Sequence, residues 1–494
     1  MAHIIDSPPG SAHAGYIENY GPTYQIPAYF GTARLFSSDA VALSYVLGHP
    51  DIFSKPEDLR YAMERRFGKG VLAAEGEDHR RQRKVLNPSF SPAALRNTTG
   101  VFYDKAEELK DVLNCKLQDA SAKDETRARG TTVDMLLYLG RTSLDIIGIA
   151  GFGYDFQSLS MQDNELAGAY RDMFQSHRRT VWGVLQQVIP FLRIFPSSDS
   201  AVIRNSTEVA NRIGQQLVDD KKKDILAVSS ASVGKGQDFG QDLLSNLIRA
   251  NMASDLRPEQ RISEKEVLAQ ITTFMLAGNE TSSTAMTWIL YCLAQNPESQ
   301  KRLRTELRAV QDDRPSSETL ASLPYLDAVV REVLRLLPPV PSTVRSAAED
   351  AIIPLGTPVS GRDGTLIENV KVGKGTLIYI PIINVNTSTA IWGEDAGEYI
   401  PDRFERSHAA ADKVPGTWGN LLTFMGGTRN CIGYRFALIE LKAILFVLIR
   451  NFAFEELPNK PEIVKKSLIV MRPRVVGQEK MGSQLPLLVK AVAG

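Results

Sequence analysis

Of the three cysteines in the chain, Cys115, Cys292 and Cys431, only the last stands in surroundings suited to chemistry. It lies in Phe424-Met425-Gly426-Gly427-Thr428-Arg429-Asn430-Cys431-Ile432-Gly433, where glycines on both sides let the backbone fold tightly around one thiol. The run that follows, Tyr434 to Ile449, becomes apolar almost all round, the pattern of a buried helix. A cysteine at the start of such a helix is favoured as a thiolate, because free N–H groups and the helix dipole stabilise negative charge. Arg429, two residues earlier, could pair with an anion. A single cysteine taken alone is most often a small buried hydrophobe. The glycines and arginine around this one reverse that expectation.

A second constellation, Ala277-Gly278-Asn279-Glu280-Thr281-Ser282, sets an acid and several hydroxyls between apolar runs, Phe274-Met275-Leu276 before it and Met286 to Leu290 after it. Polar groups in the core section of a helix are costly unless satisfied. A solvent-facing stripe would not be flanked by apolar residues on both sides. Gly278 and the hydroxyls weaken regular helix hydrogen bonding, which predicts a local kink or widening. A third pair, Glu332 and Arg335, stands at i and i+3 on one helix face and can form an ion pair. Alone, such a pair is usually a surface salt bridge worth under ~1 kcal/mol.

Helices dominate the elements that must position these residues. Ser263 with Glu266 forms a capping box, and the apolar-rich run behind it continues to Asn296, with Pro297 as its stop. At ~1.5 Å per residue that helix is about 50 Å long, so its middle must lie in a core. Leu326, Val329, Val330, Val333, Leu334 and Leu337 follow the helical period of a second helix, which ends at Pro338-Pro339. Strand-like runs are few: Thr32 to Ser37, Thr376 to Ile383 and Gln484 to Val492. Ser229 to Gly240 and Ala120 to Gly130 read as polar surface connections, neither long enough to demand a domain boundary. Val181 to Phe195, rich in Val, Leu, Ile and aromatic residues, reads equally as a lid or membrane-touching surface and as ordinary core.

Lys+Arg and Asp+Glu both number 57, so the formal charge is zero and nothing points to nucleic acid. The run Lys221-Lys222-Lys223 reads as a solvated face. The cysteines form no CxxC pair or disulfide framework, which fits a reducing, cytosol-facing location. The six histidines show no metal-ligand spacing, against a zinc enzyme. No run reaches the roughly 18 consecutive apolar residues of a membrane-spanning helix. Pro8-Pro9-Gly10 breaks any N-terminal signal peptide. The expectation is an N-terminal tail over residues 1–15 without an anchor.

The spacing F-x-x-G-x-R-x-C-x-G resembles the haem-binding loop of the cytochrome P-450 family, whose cysteine is the axial ligand of the iron. The resemblance makes Cys431 the metal ligand, framed by Phe424, Gly427, Arg429 and Gly433. Met425 departs from it, being bulkier than the small or polar residue many members carry there. Ala277 to Ser282 resembles the family's oxygen-activation motif, which gives Thr281 a proton-relay role with Glu280 in support, and makes Ala277 and Gly278 haem neighbours. Glu332 and Arg335, with Arg403 of Pro401-Asp402-Arg403-Phe404, resemble the Glu–Arg–Arg triad, a structural lock on the segment leading into the cysteine loop. Arg345, Arg429 and Arg83 resemble haem-propionate contacts, since guanidinium groups offer paired donors to carboxylates. His79 takes the tryptophan's place in a stretch resembling W-x-x-x-R, where an imidazole N–H could substitute. Leu276, Ala277, Val340, Pro341 and Ser342 resemble distal pocket positions, and their mostly apolar character implies a lipophilic or aromatic substrate.

These motifs stand in family order at 277, 332, 401 and 424, and the likeness covers roughly residues 16 to 490. It is greatest to microsomal, especially fungal, members. It implies a mainly α (α+β) fold, a large helical domain with a small β-rich lobe, as one catalytic domain over 16–494. The implied activity is a monooxygenase that reductively activates dioxygen for hydroxylation or epoxidation, on haem b, as a monomer. Electrons would come from NADPH through a reductase, with cytochrome b5 as a second donor. The site of action would be the cytosolic face of the endoplasmic reticulum where an anchor is present. A haem-thiolate isomerase, dehydratase or peroxygenase is the alternative on the same fold, and the intact Glu280-Thr281 pair favours the monooxygenase. A non-catalytic haem-binding protein is the alternative of another class; the lack of an appended signalling domain speaks against it.

Overall fold

The computed structural model describes residues 7–27, 33–123, 130–160, 164–175, 182, 186, 191–192, 200–230, 242–252, 260–406, 408–467 and 469–492. The chain divides into two units, one of residues 1–55, 106–140 and 280–494, the other of residues 56–105 and 141–279.

The first unit carries the strands. A five-stranded sheet runs in the order Thr23–Pro27, Ala33–Ser37, Leu377–Ile380, Thr343–Ala347, Phe53–Ser54, antiparallel except where Ala33–Ser37 meets Leu377–Ile380. In Leu377-Ile378-Tyr379-Ile380 burial alternates, so Ile378 and Ile380 enter one core with Leu35, Phe53, Ile353 and Leu422. The strand expected to reach Ile383 ends at Ile380, because Pro381 removes a ladder donor and caps the short helix Ile382–Asn386. Thr23–Pro27 is a strand that patterning missed; its closing proline disguised it. Pro486–Ala491, inside the expected Gln484 to Val492, pairs with Thr131–Asp134 and Phe452–Glu455. Ile463–Ser467 and Met471–Val475 form a separate hairpin.

The helix Pro324–Leu336 buries Tyr325, Leu326, Val329, Val330, Val333 and Leu334. Its first turn is capped from outside, the Glu306 carboxylate accepting the Tyr325 and Leu326 N–H groups at 2.8 Å each. The helix Tyr434–Asn451 is buried without interruption from Glu440 to Ile449. Two helical expectations change. Pro297 does not only stop one helix; it opens the next, Pro297–Ala309, where its missing N–H costs nothing. The segment expected as a tail is helical from Ser11 to Tyr20, with His13 buried 4.6 Å from the Phe36 ring and 2.9 Å from the Tyr24 hydroxyl. Burial pushes the His13 pKa down to about 4.

The second unit is helical. It includes Gly76–Leu86, Ser200–Ser230, Leu243–Met252 and the first half of the long helix Glu264–Gln295. Lys221 is not solvated as the lysine run implied, but pairs at 2.7 Å with the buried Asp242; Lys222 reaches Glu264 at 2.6 Å. Thr99–Lys123 carries helix into the stretch expected as a connection from Ala120, and residues 124–129 lie outside the described residues. Ser229 and Ser230 close a helix, and the rest of that expected loop lies outside the described residues. So does the expected lid over 181–195, apart from Trp182, Gln186, Phe191 and Leu192. Among the described residues one helix, Met135–Phe152, is long and apolar enough to cross a membrane, and 72% of it is buried inside the protein.

Candidate active site

Two single 3-10 turns, Leu422–Phe424 and Gly427–Arg429, shape the cysteine loop. Between them the backbone takes left-handed φ at Met425 (+58°) and Gly427 (+69°). Both glycines are required by close approach as well. A Cβ on Gly426 would stand 1.6 Å from the Pro415 carbonyl oxygen, and one on Gly427 2.3 Å from that of Leu47. Met425 is strained there, yet its side chain packs on the apolar core. The Cys431 N–H donates to the Phe424 carbonyl at 2.9 Å and closes the loop. Its side chain is exposed, two residues ahead of Gly433, the N-cap of Tyr434–Asn451. Cys292 is buried, which pushes its thiol up to about 12 and away from the thiolate form. Cys115 sits exposed on the helix Thr99–Lys123, with no loop around it.

Glu332, Arg335 and Arg403 meet with no exposure of any of the three side chains. Glu332 accepts from Arg335 Nε at 2.8 Å and Nη2 at 2.9 Å, from Arg403 Nε at 3.2 Å and from the Ile400 N–H at 2.9 Å. Asp395, which the sequence did not single out, adds a second carboxylate to Arg403 and also pairs with Arg406 at 3.1 Å. A path leads from this cluster to the cysteine. Arg335 Nη1 donates to the Asn386 carbonyl at 2.9 Å, and the Asn386 side chain holds the Leu422 N–H at 3.0 Å and the Thr423 hydroxyl at 2.8 Å. Asn386 is only 1% exposed. No motif pointed to it; only its place as the last residue of Ile382–Asn386 reveals it.

The long helix is α-helical from Glu264 to Gln295, with no change of helix type at Gly278. Two of its hydroxyls bond back to the helix's own carbonyls, Thr287 to Ser283 at 2.6 Å and Ser283 to Glu280 at 3.4 Å, while those of Thr273 and Thr284 are buried without a hydrogen-bond partner. Gly278 serves packing instead: a Cβ there would stand 2.9 Å from Ile147. Burial falls in the middle. Leu276 and residues 278–281 are half-buried and Ala277 is exposed, whereas residues 269–275 and 282–290 are buried. Glu280 pairs with Arg472 of the hairpin strand Met471–Val475, a partner the sequence did not reveal.

In the second unit His79 is buried and Arg83 donates to Asn87 Oδ1 at 3.1 Å. Both stand on Gly76–Leu86, which is clamped to the long helix. Arg81 reaches Glu266 at 2.6 Å, and Gln82 bonds Glu266 at 2.9 Å and Gln270 at 2.8 Å. Glu266 completes its capping box, accepting the Ser263 N–H at 2.7 Å while its own N–H donates to Ser263 Oγ at 3.3 Å. Burial alone would raise the Glu266 carboxyl, but hydrogen bonds from Arg81 and Ser263 prevail and hold it at about 2. In the first unit Arg345 is buried and donates to the Val344 carbonyl at 2.9 Å. Val340 packs on the apolar core, Pro341 accepts from the Ile383 N–H at 3.0 Å, and Ser342 bonds Tyr379.

The family model for cytochrome P450 matches residues 4–477. The chain belongs to the cytochrome P450 family. Cytochrome P450 monooxygenase 205 of Postia placenta is 43% identical over 97% of this chain and 88% of its own length. Cytochrome P450 monooxygenase 128 of the same fungus is 41% identical over 97% and 87%. Cytochrome P450 monooxygenase claW of Ampulloclitocybe clavipes is 35% identical over 97% and 87%. This P450 has the family's mainly α fold and is a haem-thiolate monooxygenase, with haem b as cofactor and electrons from NAD(P)H through a reductase.

The residues present fit that cofactor. Cys431 offers an exposed thiol from a loop whose glycines leave no room for side chains, on the N-terminal side of a buried helix. Independently, the interior of the long helix, buried over 269–275 and 282–290, loses that burial where its polar motif falls. When bound, the haem supplies the redox chemistry of dioxygen, and the chain supplies the thiolate ligand and the binding surface.

Proposed function

We propose that Cys431 is the axial thiolate and that Thr281, supported by Glu280, carries protons to the reacting oxygen during oxidation of a lipophilic or aromatic substrate. The observation that carries this reading is the break in burial over residues 276–281, flanked by fully buried turns of the same helix. Hydroxyl and carboxylate groups in such a place can hold and pass a proton while apolar neighbours exclude bulk water. Arg345 and Arg429 are the proposed donors to the haem carboxylates, with His79 and Arg83 assigned on the same family resemblance. On the same resemblance Ala277 and Gly278 are assigned to the haem, and Leu276, Val340, Pro341 and Ser342 to the substrate. Glu332, Arg335 and Arg403 hold the cysteine loop rather than take part in chemistry. Residues 16–494 act as one catalytic domain, which the extent of the family match supports.

An NADPH-dependent reductase is the proposed electron donor, with cytochrome b5 as an auxiliary one. The proposed location is the cytosolic face of the endoplasmic reticulum, in keeping with the resemblance to microsomal members. The test is a ligand screen by haem difference spectroscopy, followed by turnover with reductase and NADPH. Apolar or aromatic compounds should displace the axial water, and Thr281→Ala should divert electrons from oxygenated product to hydrogen peroxide. Unchanged product per NADPH in Thr281→Ala would remove the relay assignment.

A further inference from the structure

We propose that Arg472 is a positioning residue for Glu280, fixing the charge and direction of that carboxylate before it serves Thr281. The proposal rests on the reading of Glu280 and Thr281 as the proton relay, and adds the group that sets the relay's acid.

The Arg472 guanidinium pairs with Glu280 from a backbone anchored twice at the preceding residue. The Met471 N–H donates to the Pro339 carbonyl at 2.7 Å, and the Met471 carbonyl accepts from Trp288 Nε1 at 2.7 Å. Trp288 is 1% exposed and stands on the same helix as Glu280, about 12 Å further along. The strand that presents Arg472 is therefore tied to the helix that presents Glu280.

Charge around Arg472 gives it one use. Across the hairpin it stands opposite Lys466, and like charges directly opposite destabilise a sheet. Its Nε is buried without a hydrogen-bond partner. Glu280 is the counter-charge that makes the position tolerable. The side chains are 33% and 16% exposed, so the pair is largely desolvated and burial presses the guanidinium toward its neutral form. Arginine resists that pressure and stays charged. Its planar fork also fixes the partner's direction, which a flexible ammonium does less well. Without it, the carboxylate loses its counter-charge and is left to turn to another donor.

The test uses the haem-loaded enzyme with its reductase, NADPH and dioxygen as the only oxidisable and reducible partners. The variants are Arg472→Gln, Arg472→Lys and Glu280→Gln. Infrared difference spectra against Glu280→Gln identify the Glu280 carboxylate band, which turnover does not enter. In Arg472→Gln that band should shift, and NADPH oxidation through to water should fall about tenfold, below the ~10²-fold or more of losing a general acid outright. Hydrogen peroxide should rise in compensation, while haem content and the reduced, CO-bound thiolate spectrum stay unchanged. Arg472→Lys should restore most of both signals. A wild-type band and wild-type peroxide share in Arg472→Gln, with Glu280→Gln still uncoupled, overturns the positioning role and leaves the relay standing. If Glu280→Gln changes nothing, the relay itself fails. The infrared band then decides alone: a shift in Arg472→Gln upholds the positioning and its absence overturns it.

Discussion

Glu332→Gln should cost the protein about 4 kcal/mol, the middle of the ~3–5 kcal/mol range for breaking a buried ion pair. The carboxylate takes four hydrogen bonds, three from two guanidinium groups and one from the Ile400 N–H, and all three charged side chains are fully buried. Glutamine keeps one acceptor oxygen and turns an amide NH₂ toward a guanidinium, so two buried cations lose their counter-charge at once. Asp395 still serves Arg403, which keeps the loss within that range rather than above it. The assay is thermal unfolding followed by far-ultraviolet dichroism, with the haem absorbance recorded in parallel. With ~2.1 cal/mol/K of unfolding entropy per residue, a chain of 494 residues loses about 1 °C per kcal/mol, so the midpoint should fall by about 4 °C. Because Arg335 reaches the loop through Asn386, thiolate-ligated haem should decline with the same midpoint. The neighbouring pair Arg302–Asp402, at 2.8 Å but 52% and 43% exposed, is the control. Asp402→Asn should cost under ~1 kcal/mol. Equal, small effects of the two substitutions would refute the reasoning, because burial would then make no difference.

Gly427→Ala should abolish thiolate-ligated haem by forcing the loop away from the Leu47 carbonyl, and Gly426→Ala should do the same at Pro415; a normal reduced CO spectrum in either would contradict the close approach. Glu266 carries a pH signature. Its carboxyl lies at about 2 in the folded chain against an ordinary 4.5, so its stabilisation is complete above pH 4.5 and lost as pH falls from there toward 2. That displacement would be worth ~3.4 kcal/mol in full, which solvent screening reduces to about 1–2 kcal/mol. Denaturation midpoints of wild type and Glu266→Gln should differ constantly above pH 5 and converge in acid, and a gap that persists at pH 2–3 would contradict this.

Much of this molecule was legible before its structure. The capping box at Ser263, the apolar face of Pro324–Leu336 and the buried helix after Gly433 are local patterns, and each formed as patterned. The glycines beside Cys431 were legible as a tight loop, though not the two carbonyl oxygens that leave them no Cβ room. What the chain concealed is long-range. Asn386 gains its role from Arg335, 51 positions earlier, and nothing in its neighbours marks it, while Asp395 gains its own from Arg403, 8 positions later, with no helical spacing to flag the pair. Arg472 pairs with a carboxylate 192 positions earlier, by way of a hairpin with weak patterning. Gly278 was read as a point of weakness, yet a glycine in a helix can mean close packing as readily, and the nearness of Ile147 shows that packing.

The central claim is that Cys431 holds the haem iron as a thiolate. It is tested most directly by the reduced, CO-bound absorption spectrum of Cys431→Ala beside wild type, at equal haem content. The wild type should show the red-shifted Soret band of a thiolate-ligated haem, and Cys431→Ala should lose it while Cys292→Ala, its thiol buried and protonated, keeps it. Retention of the red-shifted band in Cys431→Ala would contradict the account at its root.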